Sequence, residues 1–155
     1  MSEHTTQRIT IAASPERCFA LASDYGSYSS WASDIKQSTV LTVDGEGRGG
    51  EVEFRAAAMG RSTHYVLRYN YGSNPLRISW RLMQGDVMQR LDGEYEFGVI
   101  DGDPELTMVT YDLNIELAVP LPAFVKRRAE AKIIHTALHE MKARIESKTP
   151  TVPNR

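Results

Sequence analysis

The stretch FVKRRAEAKIIHTALHEMKARIESK, Phe124 to Lys148, decides the fold. Phe124, Ala131, Ile134, Leu138, Met141 and Ile145 recur at helical spacing, and one apolar stripe along so long a helix needs a surface on which to be buried. Pro120 and Pro122 stop anything helical before it. Upstream, from Ile35 to Leu117, apolar residues alternate with polar ones in short runs, the period of half-buried strands. Val52, Phe54 and Ala56 form one such set; Tyr65, Leu67, Tyr69 and Tyr71 the next; then Ile78, Trp80 and Leu82. Leu91, Gly93, Tyr95, Phe97 and Val99 share a parity, as do Val109, Tyr111, Leu113, Ile115 and Leu117. Short turns separate the runs, which predicts an antiparallel meander.

At the other end, Ile9 and Ile11 alternate with Arg8 and Thr10 to make a first strand over Thr6 to Ala12. Ser14-Pro15-Glu16 then starts a helix: serine caps it, proline suits its first position, and glutamate suits its positive end. That helix ends near Asp24, and a weak second helical turn, Tyr25 to Ala32, must be held by the docking of Tyr28 and Trp31. The expected class is α+β: a curved antiparallel sheet of about seven strands wrapped on a long C-terminal helix, with two short helices after strand 1.

Composition narrows the function classes. The chain has 155 residues, with 18 Lys and Arg against 20 Asp and Glu, for a net charge of −2. This suits one domain over residues 1–148 with a frayed tail at 149–155. So balanced a charge predicts no nucleic-acid partner, and the short apolar runs predict no stable membrane insertion, leaving only transient membrane contact. The lone Cys18 and the lack of a signal-peptide pattern at the N-terminus point to a cytoplasmic protein; monomer and homodimer both stay open.

Several motifs dissolve on inspection. Gly45-Glu46-Gly47-Arg48-Gly49-Gly50 fits a dinucleotide fingerprint letter by letter, but a strand pattern follows where the fingerprint needs a helix, so it reads as a turn. His135 and His139 have a metal-ligand spacing without a third ligand, and no metal or cofactor is expected. Cys18, among Phe19 and Leu21, reads as a packed thiol. Asp112, Asn114 and Glu116 alternate against the apolar face and read as solvated. Lys126, Arg127, Arg128 and Lys132 form a basic cluster where the helix dipole disfavours it, which hints at an anionic group there.

The informative signal is aromatic. Trp31, Phe54, Tyr65, Tyr69, Trp80, Tyr95, Tyr111 and Phe124 fall on inward parities or under the helix. In a strongly bent sheet these side chains need not meet, and buried tyrosines want hydrogen-bond partners. Such a lining suits a hydrophobic small molecule. Leu67, Leu82 and Leu91 join the expected lining, with Ile134 and Leu138 from the helix and Arg128 from the basic cluster.

Ser14-Pro15-Glu16, the segment Asp24 to Trp31, Ile78-Ser79-Trp80-Arg81-Leu82, Leu91-Asp92-Gly93-Glu94-Tyr95 and the run Val119 to Arg128 together resemble the START-like, birch-pollen-allergen-like superfamily with the helix-grip fold. Within it the sequence is most similar to the polyketide cyclase/dehydrase or coenzyme-Q-binding START branch. The resemblance covers nearly the whole chain and implies a deep hydrophobic cavity between sheet and last helix, with its mouth near the second short helix and the hairpin tips. Its ligands would be a lipid, an isoprenoid quinone or a polyketide-like aromatic, and its alternative activity an aromatase/cyclase or dehydratase. Ser29 stands where that family has proline, and Ala32-Ser33-Asp34-Ile35 and Ala56-Ala57-Ala58-Met59 stand where cyclases carry aromatic residues and an arginine. Arg61 is the nearest arginine. The resemblance therefore carries the fold and not the cyclase residues.

Overall fold

The computed structural model describes residues 4–58 and 60–147. Strand β1 (Thr5–Ile11) leads into helix α1 (Pro15–Ala22), where the Ser14 side chain accepts a hydrogen bond from the Arg17 N–H and Pro15 occupies the first turn. A 3-10 turn (Tyr25–Ser27) and the single turn α2 (Tyr28–Trp31) follow. Six strands come next: β2 (Ile35–Val40), β3 (Glu51–Ala58), β4 (Arg61–Gly72), β5 (Leu76–Gly85), β6 (Met88–Ile100) and β7 (Asp103–Leu117). Helix α3 (Ala123–Glu146) closes the chain. The strands form one antiparallel sheet in the order β1-β7-β6-β5-β4-β3-β2, a meander with β1 added beside the last strand. This is the helix-grip architecture expected from the sequence.

The glycine-rich loop leads into β3, as its strand pattern requires. The Asp44 carboxylate accepts hydrogen bonds from the backbone N–H groups of Glu46 and Arg48 and from Nε of Arg48. Gly47 takes a left-handed φ of 82°. Gly49 serves packing: a Cβ there would lie 2.7 Å from the Tyr25 ring. Tyr25 is thereby buried, and its hydroxyl pairs with that of Tyr71 at 2.7 Å, which in turn donates to the Gly49 carbonyl. This chain of contacts holds a helical turn that propensity alone would not.

Helix α3 buries Ile134, Leu138, Met141 and Ile145, as its spacing predicts. Its first turn departs from the expectation. Phe124 is 61% exposed, on the side of the helix opposite Lys126, whose ammonium reaches Asn114 of β7. The buried stripe begins instead at Glu130, which is 0% exposed. Its carboxylate accepts from the Thr5 hydroxyl at 2.7 Å, the Ile115 N–H at 2.7 Å and the Lys126 ammonium at 3.0 Å. Lys126 also donates to Oδ1 of Asn114 at 3.0 Å. One reading of the sequence is thus corrected: Asn114 is buried rather than solvated. Lys126 belongs to an internal polar cluster tying α3 to β1 and β7, with the Glu130 carboxylate as its anionic partner. A buried carboxylate with three donors has the partners its desolvation demands.

Candidate binding cavity

Helix α3 packs chiefly on β1 and β7, at one end of the sheet. The inner face of β3 to β6 curls past it and presents its aromatic side chains to space rather than to helix. Cross-strand register brings these rings side by side: Phe54 lies opposite Tyr65, Tyr69 opposite Trp80, and Tyr95 opposite Tyr111. Ring centroids are 5.4 Å apart for Phe54 and Tyr65, 5.3 Å for Trp80 and Tyr95, and 4.5 Å for Tyr95 and Tyr111. Trp80 lies opposite Gly93, whose missing side chain leaves room for the indole.

Between this aromatic floor and the helix lies a cavity of about 150 Å³. Tyr28, Trp31, Ala32, Asp34 and Ile35 wall it from the segment around α2, and Ala56 and Ala57 from the end of β3. From α3 come Ile133, Thr136, Ala137 and Glu140. Of the residues expected from the sequence, Trp31, Phe54, Tyr65, Leu67, Tyr69, Trp80, Leu91, Tyr95 and Tyr111 share this wall. Leu82, Phe124, Arg128, Ile134 and Leu138 do not. Ile134 and Leu138 are buried against the sheet, and the helix shows the cavity the face carrying Ile133 and Ala137 instead. Phe124 and Arg128 stand exposed on the first turns of α3, away from the wall. Leu82 is half-buried near the end of β5. The residues missed left a signal: Ile133-Ile134 and Ala137-Leu138 are doubled apolar positions, which a helix buried on only one narrow stripe does not need.

The chemistry of the wall is apolar with hydrogen-bond donors. The Tyr28 hydroxyl donates to the Ala22 carbonyl. Those of Tyr65, Tyr69, Tyr95 and Tyr111 have no hydrogen-bond partner among the described residues, although all four residues are buried. The indole N–H of Trp31 is also buried and unpartnered. Burial pushes the hydroxyls of Tyr28, Tyr69, Tyr95 and Tyr111 well above the usual phenol range, and that of Tyr65 upward as well, so all five remain protonated at neutral pH. They can donate hydrogen bonds and cannot serve as bases. Glu140 accepts from the Ser33 N–H at 2.9 Å and so ties α3 to the loop after α2 at the cavity's rim. Among the described residues there is no group of three or more His, Cys, Asp or Glu able to hold a metal ion. His135 and His139 stack with centroids 3.9 Å apart on the exposed side of α3.

The family model described as polyketide cyclase/dehydrase and lipid transport matches residues 2–146. The chain belongs to that family. Solved structures agree on the fold. A START superfamily protein from Mycobacterium smegmatis superposes with a TM-score of 0.88 at 21% identity, covering 94% of this chain and 99% of that one. An aromatase/cyclase from Streptomyces gives a TM-score of 0.83 at 13% identity, covering 97% and 98% of the two chains. A STAR-related lipid transfer protein from Xanthomonas axonopodis gives 0.70 at 13% identity, over 92% and 85%. No curated protein matches the sequence. At such identities the neighbours establish the START-like fold and leave the chemistry to the residues of this family member. No helix among its described residues is long and apolar enough to cross a membrane.

Proposed function

We propose that this protein binds a hydrophobic small molecule, with a ring-sized apolar group of that ligand seated in the cavity between the sheet and α3. The observation that carries this reading is an aromatic-walled cavity of about 150 Å³ into which four buried tyrosines bring hydroxyls without protein partners. Left dry, such a void destabilises the fold by about 3.6 kcal/mol at ~24 cal/mol per Å³. The buried, unpartnered N–H of Trp31 adds roughly 1–3 kcal/mol. A ligand that fills the space removes the first penalty, and one that also offers an oxygen to this N–H removes the second.

The volume bears on ligand size. An apolar cavity of about 150 Å³ holds one benzene-sized ring. This supports the aromatic head of an isoprenoid quinone, one ring of a polyketide-like aromatic, or the end of a lipid chain, with the remainder of a larger ligand leaving through the mouth beside α2. Held protonated by burial, the phenols at the cavity floor offer hydrogen-bond donors to an oxygen of the ligand.

Thermal unfolding with a set of fatty acids, short-chain quinones and aromatic polyketides tests the reading. A bound ligand at a hundred times its dissociation constant stabilises by about 2.7 kcal/mol. A rise in melting temperature, accompanied by a change in the fluorescence of Trp31 and Trp80, is expected for at least one class. A uniform absence of both across the set overturns the proposal.

A further inference from the structure

The charges on the cavity wall are all of one sign. Of the residues that line it, only Asp34 and Glu140 carry a formal charge, and no Lys, Arg or His is among them. Asp34 is exposed at the rim, and its carboxylate has no hydrogen-bond or ion-pair partner among the described residues. Its charge reaches inward, since it is one of the causes that raise the Tyr65 phenol. Glu140 lines the same cavity from α3, with one oxygen accepting from the Ser33 N–H at 2.9 Å and the other without a partner among the described residues. Lys36, two residues beyond Asp34, turns its ammonium to the Ser33 carbonyl at 3.1 Å and is not part of the wall. Behind this acidic rim lie the unpartnered tyrosine hydroxyls and the buried, unpartnered N–H of Trp31.

Resting on the hydrophobic-ligand reading above, we propose that the ligand is a cationic amphiphile: an apolar ring or chain among the aromatic side chains, with a protonated amine held at the mouth by Asp34 and Glu140. An anionic head at the same place would add a third negative charge to two. A neutral head would gain nothing from either carboxylate's charge.

Three probes with one body and different heads separate the alternatives: phenethylamine, phenethyl alcohol and hydrocinnamate. Each is titrated against the whole protein at neutral pH and low ionic strength, with tryptophan fluorescence and calorimetry as readouts. Partly exposed charge pairs are each worth up to about fivefold in affinity, so two carboxylates should favour the amine over the acid by roughly tenfold or more, with the alcohol between. Raising the salt should shrink that ratio. In the double variant Asp34→Asn, Glu140→Gln, amine and alcohol should bind within about twofold of each other. Glu140→Gln keeps an acceptor for Ser33 and Asp34→Asn alters an exposed side chain, so the variant should fold, and its far-UV circular dichroism and melting temperature check that it does. Hydrocinnamate binding as tightly as the amine, or an amine preference that survives in the double variant, overturns the inference and leaves the hydrophobic reading standing. Failure of all three probes to bind the unaltered protein, while a fatty acid, quinone or polyketide does bind, overturns this inference alone; failure of every compound overturns both.

Discussion

A Cβ at Gly93 would lie 2.5 Å from the Trp80 ring and 2.9 Å from the Asp112 carbonyl, so an added methyl group has nowhere to go. Gly93→Ala should destabilise by about 1–3 kcal/mol, as overpacking in a filled core does, and should move the indole. Urea denaturation measures the first effect and the Trp80 emission maximum the second; an unchanged spectrum would mean that the ring does not rest on Gly93. A second residue-scale prediction concerns Glu146. The Lys142 ammonium at 2.7 Å and then the Ala12 N–H at 2.8 Å hold its carboxyl below the usual value of 4.5. Because the folded value is the lower one, its contribution is complete above the unfolded value and is lost as pH falls through the folded one. The urea midpoint should therefore drop below about pH 4.5, and Glu146→Gln should flatten part of that fall. An unaltered pH profile in the variant would remove this carboxylate from the acid response.

Helix α3 divides its surface among three environments, and substitutions along it should separate them. Leu138 is buried on the sheet side, so Leu138→Ala should cost about 2–5 kcal/mol. Phe124 is exposed, so Phe124→Ala should stay within about 0.5 kcal/mol of the unaltered protein. The two free energies of unfolding test the packing directly: a large loss at Phe124 would mean that the first turn is covered. The third environment is the cavity face of Ile133, Thr136, Ala137 and Glu140. The polar cluster of Glu130, Lys126 and Asn114 anchors the first turns of α3 to the sheet. None of these three reads as a core residue by hydropathy, and that is why the cluster was invisible in the sequence.

For the molecule as a whole, the cavity follows from a mismatch between one helix and seven strands. Filling the space from the helix side should show it. Ala137→Phe projects a ring into the void, so ligand-induced thermal shifts should vanish while the melting temperature without ligand stays the same or rises. A variant that binds probes as before would place their site elsewhere.

The strands, their antiparallel order and the closing helix were legible in the sequence because each rests on local rules: period-2 alternation, turn residues, helical spacing and a Ser-Pro-Glu cap. The aromatic parity likewise pointed to Tyr65, Tyr69, Trp80, Tyr95 and Tyr111, since in a strand successive side chains take opposite faces whatever the partner. Where the helix lies was decided only by tertiary packing. Periodicity identifies an apolar stripe, but not which strands it covers; docking on β1 and β7 put Ile134 and Leu138 into the core and gave the cavity to Ile133 and Ala137. The same docking turned Lys126 and Asn114 inward to meet Glu130, and left Phe124 and Arg128 outside. Asp34 and Glu140 meet at one rim across more than a hundred residues of chain, a relation that closure of the fold creates and that no local pattern encodes.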